Sequence, residues 1–496
     1  MKAQKWLTRA VFFFLVLFVA AAPHSIAAAQ IAYSGAVLFW LLNWILGYWR
    51  PVGQPLVLPS LFFVVLSALS AALGFAPSLG WAHLKSVSLL LIFVLIAQSL
   101  KSIRQVQALA TLLIASCLIN VAFTGWQYSV GVGVKLALAP AESSLRQFGL
   151  ETGDIIQSLD GHRAWGPKSI LDKTNGLAPG RLVRLTILRG QPMHRFQVDA
   201  GSATLKNLGE ELAQGQVVLS RGRPIRAQGF FDHFVTYAGV LVQIGLLAFG
   251  LFLACPATKY PQKILIAIAA LALGSALWLT LTRSAMASFL VGCLLAAWLV
   301  FGRKKSWLVM AAIAGAVAAA VIVGGFLIAG GRGLTWMDLN SPEAQYRLLM
   351  WKDGLRLIRE HPVLGVGMDS IKLYWQQWNI QAYQRFPLHS HFHSTPIQIA
   401  VERGLLTFAA WLWLLGAYFR LLWQTLKLAR KSTWVALGLA AGCTSAACAF
   451  LLGSLVDYTW GNSEVVMIFW MFMGFAIVIN RQLSAAADPM EPRHFE

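Results

Sequence analysis

Apolar stretches of about twenty residues recur along the whole chain, and they constrain its fold more than any other feature. A stretch of this length forms a helix that crosses the hydrocarbon core of a bilayer. Hydrophobic residues make up 57% of the 496 residues, and charged residues make up only 12%. The sequence therefore predicts an all-α polytopic membrane protein in contact with the lipid bilayer.

We predict twelve membrane helices, which divide the chain into six segments. The predicted helices cover about 10–26, 31–49, 56–76, 81–100, 106–128, 233–254, 263–281, 285–301, 307–330, 404–424, 433–456 and 463–480. The segments are 1–128 with helices one to five, 129–200 with a small β-rich module, a linker at 201–232, 233–330 with helices six to nine, a second long loop at 331–403, and 404–496 with the last three helices and a tail.

Basic residues indicate which side of the membrane each loop faces. Lys and Arg concentrate in alternate short loops, whereas the opposite short loops contain Arg283 and, at a helix mouth, Lys85. This pattern predicts cytoplasmic termini and places the two long loops on the outer side. The first thirty residues also resemble a cleavable signal peptide, an alternative that leaves the orientation unchanged.

Charge and cysteine content exclude two classes of function. The formal net charge is +20, but the basic residues lie in membrane loops and form no stripe interleaved with aromatic residues, so we predict no nucleic-acid partner. The five cysteines lie in or beside apolar segments, so neither a disulfide framework nor a Cys-x-x-Cys metal site is predicted.

The first long loop contains a sequence pattern typical of short strands. GLETGDIIQSLDGH (149–162) predicts a strand ending in a tight Asp-Gly turn, and PGRLVRLTILRG (179–190) alternates apolar and polar residues. Together these segments resemble a PDZ domain of the bacterial type. The resemblance implies that the module binds an extended peptide by strand addition. A rigid spacer without a ligand is the alternative.

The second long loop begins with an amphipathic helix and ends in three alternating histidines. YRLLMWKDGLRLIREHPVLGVGMDS (346–370) places Leu348, Trp351, Leu355 and Ile358 on one side of a helix, which then stops at a Pro-x-x-Gly-x-Gly turn. His389, His391 and His393 follow at every second position. HSTPIQIAVERG (393–404) then leads into the next membrane helix.

These segments resemble the O-antigen ligase and polymerase superfamily of bacterial membrane glycosyltransferases. The family pattern joins an Arg helix with Trp, a Pro-x-x-Gly-x-Gly turn and His-(Asn/Ser)-x-x-(Leu/Ile)-Gln-x-x-x-Glu-x-Gly. The matching residues are Arg347, Trp351, Pro362, Gly365, Gly367, His393, Ser394, Ile397, Gln398, Glu402 and Gly404. LTLTRSAMASFLVG (279–292) resembles the family's arginine hairpin, and RAQGFFDHFVTYAGVL (226–241) resembles its Arg-x-x-Gly-x-Phe segment.

The resemblance implies a multi-pass enzyme of the bacterial inner membrane. Such an enzyme moves a glycan from a polyprenyl-diphosphate donor to an acceptor hydroxyl on the periplasmic face, with inversion and without a metal or cofactor. The acceptor would be a lipid A core, a growing glycan or a protein. His393 would be the catalytic base, and Arg283 and Arg347 would neutralise the diphosphate leaving group. The alternative of a different class is a transporter of the lipid-linked glycan.

Further residues are candidates for substrate binding: Arg226, Glu402, His391 and Lys85. Arg226 belongs to a basic cluster that could instead bind anionic lipid. Glu402 would either orient His393 or pair with Arg403. The alternating histidines could bind zinc from one face of a strand, but no carboxylate lies among them, so we predict no metal site.

Overall fold

The architecture comes from a computed structural model that describes residues 2–48, 56–138, 149–175, 180–189, 194–201, 214–222, 226–302, 342–385 and 391–487, with a few single positions between them. The chain forms two compact units. One consists of Met1–Asn120, Phe230–Val317 and Asp338–Glu496, and the other of Val121–Gly229 and Ala318–Met337.

Helices dominate the described residues. In chain order they are α1 (Lys2–Ala21), α2 (Ile26–Ile45), α3 (Val57–Leu73), α4 (Pro77–Val87), α5 (Leu91–Ser99), α6 (Ile103–Val130), α7 (Phe234–Ala254), α8 (Tyr260–Leu279), α9 (Arg283–Gly302), α10 (Pro342–Glu360), α11 (Ile371–Tyr374), α12 (Gln381–Arg385), α13 (Thr395–Ala429), α14 (Trp434–Val456) and α15 (Ser463–Ala487). A single turn of 3-10 helix, Ser88–Leu90, joins α4 to α5.

Ten spans among the described residues are long and apolar enough to cross a membrane, and α3 is a shorter apolar helix. Together they account for eleven of the predicted membrane helices, while the predicted helix 307–330 lies outside the described residues. The prediction of a polytopic helical membrane protein is confirmed. The orientation of its termini stays a prediction.

Helix α13 begins earlier than predicted. It starts at Thr395, with Ser394 as the N-cap residue and a proline in its first turn, and not near 404. Gly404 has φ 75° and ψ 171° and interrupts the helical backbone. The predicted start therefore coincides with a kink inside a longer helix.

A six-stranded antiparallel sheet forms the core of the second unit. Its strands are β1 (Val134–Leu138), β2 (Ile155–Leu159), β3 (His162–Arg163), β4 (Leu182–Arg189), β5 (His194–Gly201) and β6 (Val218–Arg221). The order across the sheet is β5-β4-β2-β1-β6, and β3 pairs with β2. A short helix, Pro167–Asn175, follows β3.

The predicted tight turn and strand periodicity are present in this sheet. Leu159 pairs with His162, and the two residues between them, Asp160 and Gly161, have φ of 47° and 79°. Two central residues with positive φ are typical of a type I′ hairpin turn. Strand β6 lies in the predicted linker 201–232, so the sheet extends past residue 200. The PDZ assignment stays a prediction.

The second long loop folds around its own hydrophobic core. Tyr346, Met350 and Leu357 of α10 are buried there with Phe392, which lies between two of the histidines. By contrast, Leu348 and Leu355 are 51% and 53% exposed, whereas Ile358 from the same predicted apolar side packs against the core. Helix α10 carries apolar residues on two sides, and the side that packs against Phe392 becomes the core.

Candidate functional site

Two histidines and an aspartate meet where the second loop approaches the end of α14. One ligand atom from each of His391, His393 and Asp457 lies within 4.8 Å of the others. Nδ1 of His393 is 3.6 Å from Oδ1 of Asp457, and the two imidazole ring centroids are 4.3 Å apart. Sequence reasoning missed Asp457, although an acidic residue immediately after a membrane helix was a usable signal.

The backbone of His393 is held in a conformation that non-glycine residues seldom adopt. Its φ is 48°, in the left-handed region, which costs about 1–3 kcal/mol unless surrounding contacts compensate. Three contacts fix this segment. The Phe392 N–H donates to Oε1 of Gln398 at 2.8 Å, the His393 N–H donates to Nδ1 of His391 at 3.2 Å, and Nε1 of Trp351 donates to the His393 carbonyl at 3.4 Å.

His391 is poorly suited to act as the base. Burial lowers its pKa to about 4, with a further lowering from the charge of His393 that Asp457 partly opposes. The ring is therefore neutral near pH 7. Because Nδ1 already accepts the His393 N–H, the proton of the neutral ring lies on Nε2, and no free lone pair remains.

Asp457 can orient His393. Burial raises the pKa of this carboxyl, but the imidazole of His393 and the charges of both histidines more than compensate, so the pKa lies below its ordinary value. Asp457 is thus ionised near pH 7. A carboxylate at this position favours the tautomer of His393 with its proton on Nδ1.

Helix α10 brings Arg347 to this cluster. The ring of Tyr346 meets that of His393 edge to face, with 5.6 Å between centroids. The charge of Arg347 contributes to the lowered pKa of His391, after burial, the neighbouring His393 and Lys372. The structure therefore brings together the sequence-predicted residues Arg347, His391 and His393.

Glu402 anchors backbone near the cluster. It is 3% exposed, its Oε1 accepts the Asp369 N–H at 2.8 Å, and its side chain hydrogen-bonds to Gln398. Arg403, also 3% exposed, donates to Oγ of Ser67 at 3.2 Å and lies 5.5 Å above the ring of Phe63. These contacts join α13 to the loop and to α3.

The Gly-x-Gly turn packs directly against the kink of α13. The Val366 N–H donates to the Val401 carbonyl at 2.9 Å, and the Gly367 N–H donates to the Glu402 carbonyl at 2.8 Å. Both Gly365 and Gly404 have positive φ, and a Cβ on either would collide with the opposing backbone. Only glycine allows this close approach, which fixes the loop onto α13.

Gly404→Ala is expected to destabilise the protein, because the new Cβ would meet the Val363 carbonyl at a backbone φ of +75°. The strained φ alone costs about 1–3 kcal/mol. Thermal unfolding of the detergent-solubilised protein measures the effect as a lower melting temperature. Gly416→Ala on the same helix is the control, since a Cβ there meets nothing within 4 Å. Equal melting temperatures for Gly404→Ala and the wild type would contradict this account of the turn.

The remaining predicted residues lie elsewhere. Arg283 is the exposed first residue of α9, and Lys85 is exposed in the last turn of α4. Arg226 belongs to the second unit, and His389 lies outside the described residues.

The cluster also has the donor atoms of a cation site. Two imidazoles and one carboxylate within 4.8 Å resemble the three protein ligands of many catalytic zinc sites. The carboxylate missing from the alternating histidines in the sequence is supplied by Asp457. Metal binding requires both imidazoles to be neutral, and proton transfer requires a neutral His393, so the two roles use the same nitrogen atoms.

Comparison with known families identifies a domain in this part of the chain. Residues 268–412 match the family model described as O-antigen ligase. The chain thus carries an O-antigen ligase domain, and the predicted resemblance to that superfamily is confirmed over this segment. The matched segment includes Arg283, Arg347, His391, His393 and Glu402, whereas Asp457 lies beyond it. No curated protein matches the chain.

Proposed function

We propose that this protein is a metal-independent, inverting glycosyltransferase that moves a glycan from a polyprenyl diphosphate to an acceptor hydroxyl on the periplasmic face of the inner membrane. The O-antigen ligase domain supports a membrane function of the ligase and polymerase family. The observation that carries the proposal is the His393–Asp457 pair, in which Nδ1 of the imidazole lies 3.6 Å from the Asp457 carboxylate.

In the proposed reaction, Asp457 holds the Nδ1 proton of His393, and Nε2 accepts the proton of the acceptor hydroxyl. The acceptor oxygen forms a bond to the anomeric carbon as the bond from that carbon to the diphosphate oxygen breaks. The electron pair leaves with the polyprenyl diphosphate, and the imidazolium later releases its proton to water or to that product.

Charge stabilisation comes from arginine in this proposal. Negative charge grows on the diphosphate as the glycosidic bond breaks, and preorganised cations at that position are often the largest catalytic contribution. Support for Arg347 in this role comes from its neighbour Tyr346, whose ring meets that of His393 edge to face with 5.6 Å between centroids. Arg283, at the start of α9 within the matched domain, is the second proposed cation.

The test of function is transfer by the purified protein from a glycan-bearing polyprenyl diphosphate to an acceptor, after chelator treatment and with excess EDTA. We expect full activity, because arginines replace the metal as the counter-charge. Loss of activity that Zn²⁺ or Mn²⁺ restores would contradict metal independence and assign the His391, His393 and Asp457 cluster as the metal site. Absence of transfer without and with metals would contradict the proposed function.

Arg347→Lys is expected to lower transfer by about 10-fold or more, although it preserves the charge, because an ammonium cannot reproduce a bidentate guanidinium contact to phosphate. Initial rates at saturating acceptor measure the effect. Arg359→Lys is the matched control, since Arg359 is exposed in the last turn of the same helix. Wild-type rates in the Arg347→Lys variant would argue against bidentate recognition of the diphosphate by Arg347.

Lipid A core, a growing glycan and a protein hydroxyl are all acceptors for this chemistry. Deletion of the gene, followed by analysis of the lost surface glycan and the accumulated lipid-linked precursor, would identify which one the cell uses.

A further inference from the structure

We propose that Lys372 is a further contact for the donor, binding the diphosphate group of a polyprenyl diphosphate, and that Asp369 positions it. This inference rests on the proposed function and adds a cation that the sequence motifs do not contain.

The position of Lys372 follows from the core of the second loop. Ile371 is buried in the same hydrophobic core as Tyr346 and Phe392. Lys372 follows Ile371 in the sequence, Arg347 follows Tyr346, and His391 and His393 flank Phe392. Two cations and the histidine pair therefore stand next to members of one hydrophobic core.

Asp369 holds the ammonium group. Nζ of Lys372 lies 2.9 Å from Oδ2 of Asp369, and the side chains are 48% and 16% exposed. Asp369 has a positive φ of 60°, and its N–H donates to Oε1 of the buried Glu402 at 2.8 Å. Nε2 of His83 is 3.1 Å from the same Asp369 oxygen, which also ties the loop to α4. Glu402 thus fixes Asp369, and Asp369 fixes Lys372.

The ammonium group has capacity left for a ligand. It carries three hydrogens, and Asp369 accepts one of them. About half of the side chain is exposed, so the other two hydrogens are accessible to an incoming phosphate. Hydrogen bonds also connect this lysine to the histidine segment, since Glu402, which accepts the Asp369 N–H, bonds to Gln398, and Oε1 of Gln398 accepts the Phe392 N–H.

A diphosphate fits this arrangement better than a single phosphate. Arg347 and Lys372 come from different elements, α10 and α11, and together they present two separate positive charges. Two linked phosphates can contact both at once. The proposal therefore predicts selectivity for polyprenyl diphosphate over polyprenyl monophosphate, and that Lys372 contributes much of this selectivity.

The experiment measures equilibrium binding of polyprenyl diphosphate and of polyprenyl monophosphate to the full chain in lipid nanodiscs. Lys372→Met is expected to weaken diphosphate binding about 10-fold and monophosphate binding much less, because one charge-assisted contact is lost. Lys372→Arg should stay within about threefold of wild type, since charge and donors remain. Lys352→Met, at an exposed lysine on α10, is the control and should bind as wild type does.

A double-mutant cycle tests the positioning role of Asp369. Asp369→Asn should weaken diphosphate binding, but it should cause no further loss in the Lys372→Met background, because it acts through that lysine. Additive losses would contradict this role. If the wild type binds polyprenyl diphosphate and Lys372→Met binds it equally well, the inference about Lys372 is wrong and the proposed function still stands. If the wild type binds no polyprenyl diphosphate, the inference and the proposed function both fail.

Discussion

His393→Ala is expected to lower glycan transfer by about 10²–10⁴-fold, the usual contribution of a general base, while the protein still inserts into the membrane. The side chain belongs to no apolar span, since it lies before the start of α13. Its loss removes Nε2, the proposed proton acceptor, together with Nδ1, which contacts Asp457. Initial transfer rates measure the effect, and expression with an unchanged melting temperature shows that the fold is retained.

His391→Ala is the matched comparison, because the two rings are adjacent and both lie beside Asp457. We expect a smaller loss, caused by the missing acceptor for the His393 N–H. The opposite order, with activity retained in His393→Ala and abolished in His391→Ala, would assign the base to His391 and show that the motif register is wrong.

The membrane helices are the part of the fold that sequence predicts best. Length and apolar content decide whether a segment crosses a bilayer, and both are local properties. The start of α13 was harder to predict, because the apolar run begins near the kink at Gly404 while the helix begins at Thr395. The buried side of α10 was also hard to predict, because it packs with Phe392, which is distant in the sequence.

Family resemblance identified residues of the site more readily than their contacts. Trp351, Gln398 and Glu402 occur in the motif, yet each one hydrogen-bonds to loop backbone or to a motif neighbour. These contacts give Trp351, Gln398 and Glu402 structural roles in holding the loop backbone. They depend on tertiary packing of α10 against α13, which spacing along the chain does not encode.

Asp457 is the site residue that sequence spacing could least predict. It comes from the end of α14, beyond the matched domain, and no motif spacing relates it to His393. A loop histidine and a carboxylate between two membrane helices become partners only when the helices pack. The prediction of no metal site was made because no carboxylate lies among the alternating histidines in the sequence, and Asp457 brings one to them.

Asp457→Asn should therefore be nearly as damaging as loss of the histidine, with transfer lowered on the order of 10²–10⁴-fold, as expected when a carboxylate that orients a catalytic imidazole is replaced by an amide. The amide no longer favours the Nδ1–H tautomer, so Nε2 carries the proton in part of the population. The carboxylate is ionised near pH 7, because contact with the two histidines holds its pKa below the ordinary value despite burial.

The melting temperature separates this role from a structural one. Asp457→Asn removes a carboxylate that contacts His393 at the end of α14, so it should lower the maximum rate and leave the melting temperature unchanged. Glu360→Gln, at an exposed carboxylate on α10, is the control and should leave both unchanged. If Asp457→Asn also lowered the melting temperature, Asp457 would be a packing residue and His393 would need another partner.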